Sequence, residues 1–171
     1  MINEIIVKNR FYMDILGRDC IKPPADDWYL ISICSPKEDG TADLYLTERN
    51  IKAIQEKGCR GYLSLMFSDV TSAQFEQYRI TNPEMKLFGP AEAGNIIGFL
   101  SIVQADLDDV TLVVHCDAGI SRSGAVAQFV SDMWKIPFFD SFIHPNFRVY
   151  NELIKAWNAK LKAQEENDKK D

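Results

Sequence analysis

The stretch "TLVVHCDAGISRSGAVAQFV", residues 111–130, constrains the fold more than any other part of the chain. An apolar run with three β-branched residues passes into a short loop of small residues, and the loop passes into an apolar helical pattern. A strand with no polar alternation is covered on both faces, which is the situation of a parallel strand joined to its neighbours through helices. The rest of the chain repeats this rhythm. "EIIV" at 4–7, "WYLISIC" at 28–34 and "YLSLMF" at 62–67 read as strands, and "NRFYMDIL" at 9–16 as a helical turn. "TERNIKAIQEKG" at 47–58 offers Thr47 as a cap and Gly58 as a stop. A short helix is expected over 73–78. A longer one over 90–106 opens on Pro90 and places Ile96, Ile97, Leu100 and Val103 at helical spacing. The last, over 144–161, is capped by Asn146 and carries Tyr150, Leu153, Trp157 and Leu161 on one stripe. The class is therefore α/β, with a central, mostly parallel sheet flanked by helices.

The 171 residues, 46% hydrophobic and 26% charged, fit one domain over 1–162 followed by a charged, disordered tail over 163–171. A net charge of -6 excludes the basic stripe of a nucleic-acid binder. No window reaches the roughly 18 to 20 apolar residues that span a bilayer. "MINEIIVKNR" has no apolar core of the kind a secretory signal needs. The cysteines at 20, 34, 59 and 116 form no CxxC pair and read as reduced thiols of a cytoplasmic protein. Cys20, Cys34 and Cys59 read as small buried hydrophobes, and the spacing leaves open whether any of them pairs with Cys116 on oxidation. The aromatic residues Trp28, Phe129, Trp134, Phe138, Phe139 and Trp157 read as core. No cluster has metal-ligand spacing, and neither a metal nor a cofactor is expected.

Cys116 stands at the carboxyl end of a strand, where α/β folds bind their ligands. The loop after it, Asp117, Ala118, Gly119, Ile120, Ser121 and Arg122, runs into the start of a helix. Its backbone N–H groups converge there with the positive end of the helix dipole, which makes an anion site. The same field favours thiolate over thiol, so Cys116 is expected to be a nucleophile. Gly119 permits backbone angles that a Cβ would obstruct, and Gly124 permits close helix packing. Arg122 can hold two oxygens of a tetrahedral anion with its planar fork.

This pattern, His-Cys-x5-Arg-Ser in "HCDAGISRSG", resembles the signature of the cysteine-dependent protein tyrosine phosphatases. It is most similar to the dual-specificity branch, especially small bacterial and phage-like members. The resemblance covers about residues 60 to 157 and includes "HPNFRVYNEL" at 144–153. It implies a protein-tyrosine-phosphatase-like fold and a phosphomonoester hydrolase working through a cysteinyl-phosphate. In that scheme Cys116 is the nucleophile, and Arg122 with the loop N–H groups holds the phosphoryl oxygens. Ser123 bonds the departing thiolate, and His115 organises the loop. The family also supplies an aspartic acid from an upstream loop as general acid. Asp69, just past the strand "YLSLMF", is expected to fill that role, with Glu84 and Glu92 in reserve. Its separation from Cys116 exceeds the usual one, and "YRITNPEMKLFGP" has the look of an insertion that accounts for the excess. "KNRF" at 8–11 is similar to a recognition motif of tyrosine-specific phosphatases, but it lacks supporting context and is read as coincidence.

The carboxylate at Asp117 argues against a highly anionic substrate. The expected partner is a phosphorylated protein or peptide, with phosphotyrosine first and phosphoserine or phosphothreonine admitted by a shallow pocket. Two other readings share the loop. One is a catalytically weak phosphate-binding module. The other, a rhodanese-type sulfurtransferase, is disfavoured by the arginine and serine that close the loop.

Overall fold

In a computed structural model of the chain, the description covers residues 1–16, 22–37, 46–138, 140 and 143–169. The side chains of residues 14 and 15 lie outside it, as do Cys20 and Phe139. Four strands form one sheet: β1 (Ile2–Lys8), β2 (Trp28–Cys34), β3 (Cys59–Met66) and β4 (Val110–His115). Their order is β1-β4-β2-β3, and every pairing is parallel. The six helices are α1 (Arg10–Leu16), α2 (Glu48–Glu56), α3 (Ser72–Tyr78), α4 (Pro90–Gln104), α5 (Arg122–Trp134) and α6 (Phe147–Asp168). The architecture is α/β with a parallel sheet between helical layers, as the alternation of patterns implies. No helix among the described residues is long and apolar enough to cross a membrane.

Alternation along the strands sorts the side chains into two cores. Ile31 and Ile33 of β2 and Leu112 and Val114 of β4 join the cluster built with Ile96 and Leu100 of α4, Phe129 of α5 and Leu153 of α6. Trp28 and Leu30 of β2 and Val113 of β4 face the other way, onto Met13 and Leu16 of α1 and Ile54 of α2. Each fully buried aliphatic side chain stabilises the fold by about 2 kcal/mol relative to exposure. β4, buried at all six positions, is the most deeply enclosed strand. Trp28 and Phe129 are wholly buried, while Trp134, Phe138 and Trp157 pack against the first core from its edge.

Local chemistry sets the element ends. The Thr47 side chain accepts from the Asn50 N–H and starts α2. Thr71 and Gln74 form a reciprocal capping box on α3. Pro90 opens α4, and the Glu92 carboxylate accepts from the Gly89 N–H at 3.1 Å. The Asn146 side chain accepts from the N–H groups of Arg148 and Val149 and starts α6. Several bounds differ from the sequence expectation, two of them for a reason the structure shows. β3 begins at Cys59, because pairing with Trp28 extends the strand through the polar "CRG". α6 continues to Asp168, into the segment expected to be disordered, as an exposed polar helix.

Candidate functional site

The loop between β4 and α5 lies at the carboxyl edge of the sheet, with β1 and β2 on either side of β4. Cys116 follows the strand directly and is 1% exposed. Its Sγ lies 3.1 Å from the Ser123 Oγ in the first turn of α5. His115 points to the opposite face of the sheet, where its Nε2 lies 2.7 Å from the Ser32 Oγ on β2. Burial pulls the His115 imidazole down to about 4 and the Arg122 charge adds to this, partly offset by a Cys116 backbone bond and the Asp117 carboxylate. His115 is therefore neutral near pH 7. Its contact with Ser32 ties β4 to β2 one residue before Cys116.

The loop is folded tightly against the start of the chain. The Arg10 N–H donates to the Asp117 carbonyl at 3.1 Å. Gly119 has φ +71°, and a Cβ there would lie 2.8 Å from the Lys8 carbonyl carbon and oxygen. A side chain at this position would collide with backbone that cannot move aside, so the loop requires glycine. A Cβ at Gly124 would run into the Ile143 side chain. "KNRF" is thus the segment against which the loop is built. Lys8–Arg10 abut Asp117 and Gly119, and Phe11 is 70% exposed.

Arg122 is 3% exposed and turns its guanidinium under the loop. Nη1 donates to the Phe67 carbonyl at 2.8 Å and the Ser35 Oγ at 3.0 Å. Nη2 donates to the Asp117 carboxylate, and Ser35 Oγ donates to the same Oδ2 at 2.7 Å. The Nε is buried and has no hydrogen-bond partner among the described residues. A buried, uncompensated N–H on a charged group is costly. At the start of α5, Ser121 makes no side-chain cap to the helix, so its hydroxyl does not satisfy the first-turn amides.

The Ser121 hydroxyl goes instead to Asp69, donating to Oδ1 at 2.8 Å, and the Asn146 side-chain amide donates to the same oxygen at 2.8 Å. Asn146 N–H also donates to the Ser121 carbonyl at 3.1 Å. Asp69, exposed at the end of β3, is therefore joined to the loop and to the cap of α6. The reserve carboxylates sit otherwise. Glu92 is committed to the cap of α4 and pairs with Lys86 at 2.9 Å. Burial raises its carboxyl, but Lys86 and the backbone N–H groups outweigh that and hold it below the usual range. Glu84 is exposed on the wall of a cleft of about 400 Å³ at the same sheet edge, lined also by Pro36, Lys37, Ser68, Asn82 and Met85. Ala118 and Ile120 are exposed at the loop tip, while Asp117 is half-buried. Cys34 is buried, its thiol donating to the Leu65 carbonyl at 3.3 Å, and Cys59 is a buried thiol. Burial pushes the Cys59 thiol up to about 12, with a smaller opposing effect from its bond to Gly61.

The sequence reading missed Ser35 and the Phe67 carbonyl. Ser35 had a signal, a hydroxyl one residue past a buried strand, but only the strand order shows that it meets Arg122. Searches of protein-family models, curated proteins and solved structures find no match to this chain.

Proposed function

We propose that this chain is a cysteine-dependent phosphomonoester hydrolase that acts on phosphoprotein, phosphotyrosine first, in the manner of the protein tyrosine phosphatases its loop resembles. The observation that carries the reading is the Arg122 Nε, a buried cationic donor with no partner, inside a loop that also holds Cys116 and an uncapped helix start. A tetrahedral oxyanion seated on the loop satisfies that donor and the first-turn amides of α5 together.

In the first step the Cys116 thiolate attacks phosphorus in line, and the bond to the leaving oxygen breaks. Asp69 gives that oxygen a proton. In the second step water attacks the cysteinyl-phosphate, Asp69 takes up the proton, and the S–P bond breaks to release phosphate. Ser123, 3.1 Å from Sγ, donates to the departing thiolate. Arg122 and the loop amides hold the equatorial oxygens as their charge shifts. Asp69, tied to Ser121 and Asn146, is better placed for this than Glu92, which caps α4.

The test is phosphate release from a phosphotyrosine peptide in the presence of a metal chelator, by wild type and Cys116→Ser. The expected result is turnover by wild type and none by the variant. A folded wild type that binds the peptide without turnover would instead indicate a phosphate-binding module. Cyanide-dependent consumption of thiosulfate in place of phosphate release would indicate a sulfurtransferase.

A further inference from the structure

We propose that Asp117 is a specificity-determining residue. Its carboxylate is fixed on Arg122 beside the edge of the guanidinium left open to a ligand, and the site consequently selects phosphomonoesters that carry no second anion beside the phosphate. The inference rests on the reading of the loop as a phosphate site and concerns what that site admits.

A guanidinium binds a tetrahedral anion in two-pronged fashion through adjacent N–H groups on one edge. In Arg122 the Nη1 side is spent on the Phe67 carbonyl and Ser35, which anchor the group to the ends of β3 and β2. The remaining edge consists of Nε and Nη2. Nε is empty, and Nη2 carries the Asp117 carboxylate. The contact with Ser35 sets the carboxylate on the Nη1–Nη2 edge, so an incoming phosphoryl group finds the Nε–Nη2 edge open with a fixed negative charge directly beside it.

That anion is held in place from two sides. Ser35 Oγ donates to Asp117 Oδ2 at 2.7 Å while accepting from Arg122 Nη1 at 3.0 Å, so the three side chains close a ring. The Asp117 carbonyl accepts from the Arg10 N–H, which fixes the residue's backbone. The carboxylate does not drift into solvent when a ligand arrives. It either shares Nη2 or shifts toward Ser35, and in both cases a negative charge stays beside the bound phosphate. A single phosphate tolerates this because Nε and the loop amides remain for it. A second phosphate or carboxylate on the neighbouring part of the ligand adds like-charge repulsion without gaining a donor.

The test uses Cys116→Ser protein, which prevents turnover, and its Asp117→Asn and Asp117→Ala derivatives, with folding verified by circular dichroism. Calorimetry measures binding of inorganic phosphate, of a phosphotyrosine peptide, and of the same peptide phosphorylated also on the adjacent residue. Removal of the charge is expected to tighten phosphate binding by about tenfold or more. The parent should prefer the singly phosphorylated peptide, and the derivatives should lose that preference. Alanine covers the case in which the asparagine oxygen still accepts from Nη2. Phosphate binding that is equal or weaker in both derivatives overturns the role of Asp117 and leaves the anion site standing. If neither the parent nor either derivative binds phosphate, the anion site itself falls and this inference with it.

Discussion

Two arginines sit at opposite ends of the same sheet. Arg60, at the amino edge of β3, is surrounded by carboxylates: Asp27 at 2.8 Å, Asp106 at 3.0 Å and Asp108 at 2.8 Å. Its side chain is 29% exposed, and the hydrogen bonds it donates to Asp27 first, then Asp108 and Asp106, push its proton affinity up. Arg122, at the carboxyl edge, is almost fully buried yet has one carboxylate and a donor with no partner. If both served only to tie strands together, the buried one would be the better satisfied, because burial makes an unmet donor more costly. The reverse holds. Arg60 is a saturated clasp joining the segments before β2 and β4 to β3. Arg122 is a partly unsatisfied cation kept out of water, which is the state expected of a group that receives an anion.

Replacing each arginine by lysine separates the two roles. Lysine keeps the charge and loses the fork. Arg122→Lys is expected to lower turnover of an aryl phosphate by about 100- to 1000-fold, the usual cost of removing a well-placed donor from a transition-state oxyanion. Arg60→Lys should leave turnover unchanged and lower only the unfolding midpoint, with the loss shrinking as salt is raised, because its ion pairs are screened by solvent. Steady-state rates and thermal unfolding of both variants decide it. Equal losses of activity would remove the distinction drawn here.

Single strands and contiguous motifs were easier to read from sequence than the contacts between strands. Strand β2 matches its expected bounds residue for residue, because a continuous apolar, β-branched run is written in the composition of the segment itself. The Cys116–Arg122 loop was legible for the same reason, since its residues are contiguous. The partners of Arg122 were not. Ser35 and the Phe67 carbonyl reach it only because β2 lies between β4 and β3, and strand order leaves no mark on hydrophobic periodicity. The junction of Asp69, Ser121 and Asn146 was half legible: each residue had a local reason to be noticed, as post-strand acid, loop hydroxyl and helix cap. That Ser121 and Asn146 share one Asp69 oxygen is a fact of the assembled fold.

The two edges should also respond to acid in different ranges. At the carboxyl edge, burial holds His115 near 4, against a usual value of 6.5. Between those values the unfolded chain takes up a proton that the folded one refuses. Stability is therefore full above about pH 6.5 and falls as the pH drops toward 4, by about 3 kcal/mol in total. At the amino edge, bonds from Tyr29 first, then the Asp108 N–H and Arg60, lower the Asp106 carboxyl to about 2. That pairing is lost only at lower pH, as the folded carboxyl protonates. Urea unfolding at a series of pH values should show the upper loss in wild type and not in His115→Asn. Parallel curves for the two proteins would assign the acid sensitivity elsewhere.

The smallest expected effect is the sharpest on function. Each edge has a glycine in the left-handed region, Gly58 at φ +88° and Gly119 at φ +71°. In both, an added Cβ meets backbone: the Asp26 carbonyl at the amino edge, and the Lys8 carbonyl at the carboxyl edge. Alanine at either position adds conformational strain and a contact that must be relieved by backbone movement, together about 2 kcal/mol or more. Gly58→Ala should lose more stability in chemical denaturation, because its Cβ would lie 2.0 Å from the Asp26 carbonyl oxygen against 2.8 Å from the Lys8 carbonyl at Gly119. The two variants should also differ in phosphate affinity. Relief at Gly58 moves the turn between α2 and β3, remote from the loop. Relief at Gly119 pushes the loop off Lys8 and Arg10 and moves the amides on which the proposed anion site depends. Gly119→Ala should bind phosphate more weakly at conditions where both proteins are fully folded, and Gly58→Ala should bind as wild type does. A loss in Gly58→Ala as large as that in Gly119→Ala, or larger, would mean that phosphate affinity follows overall stability, and the contrast between the edges would then carry no functional meaning.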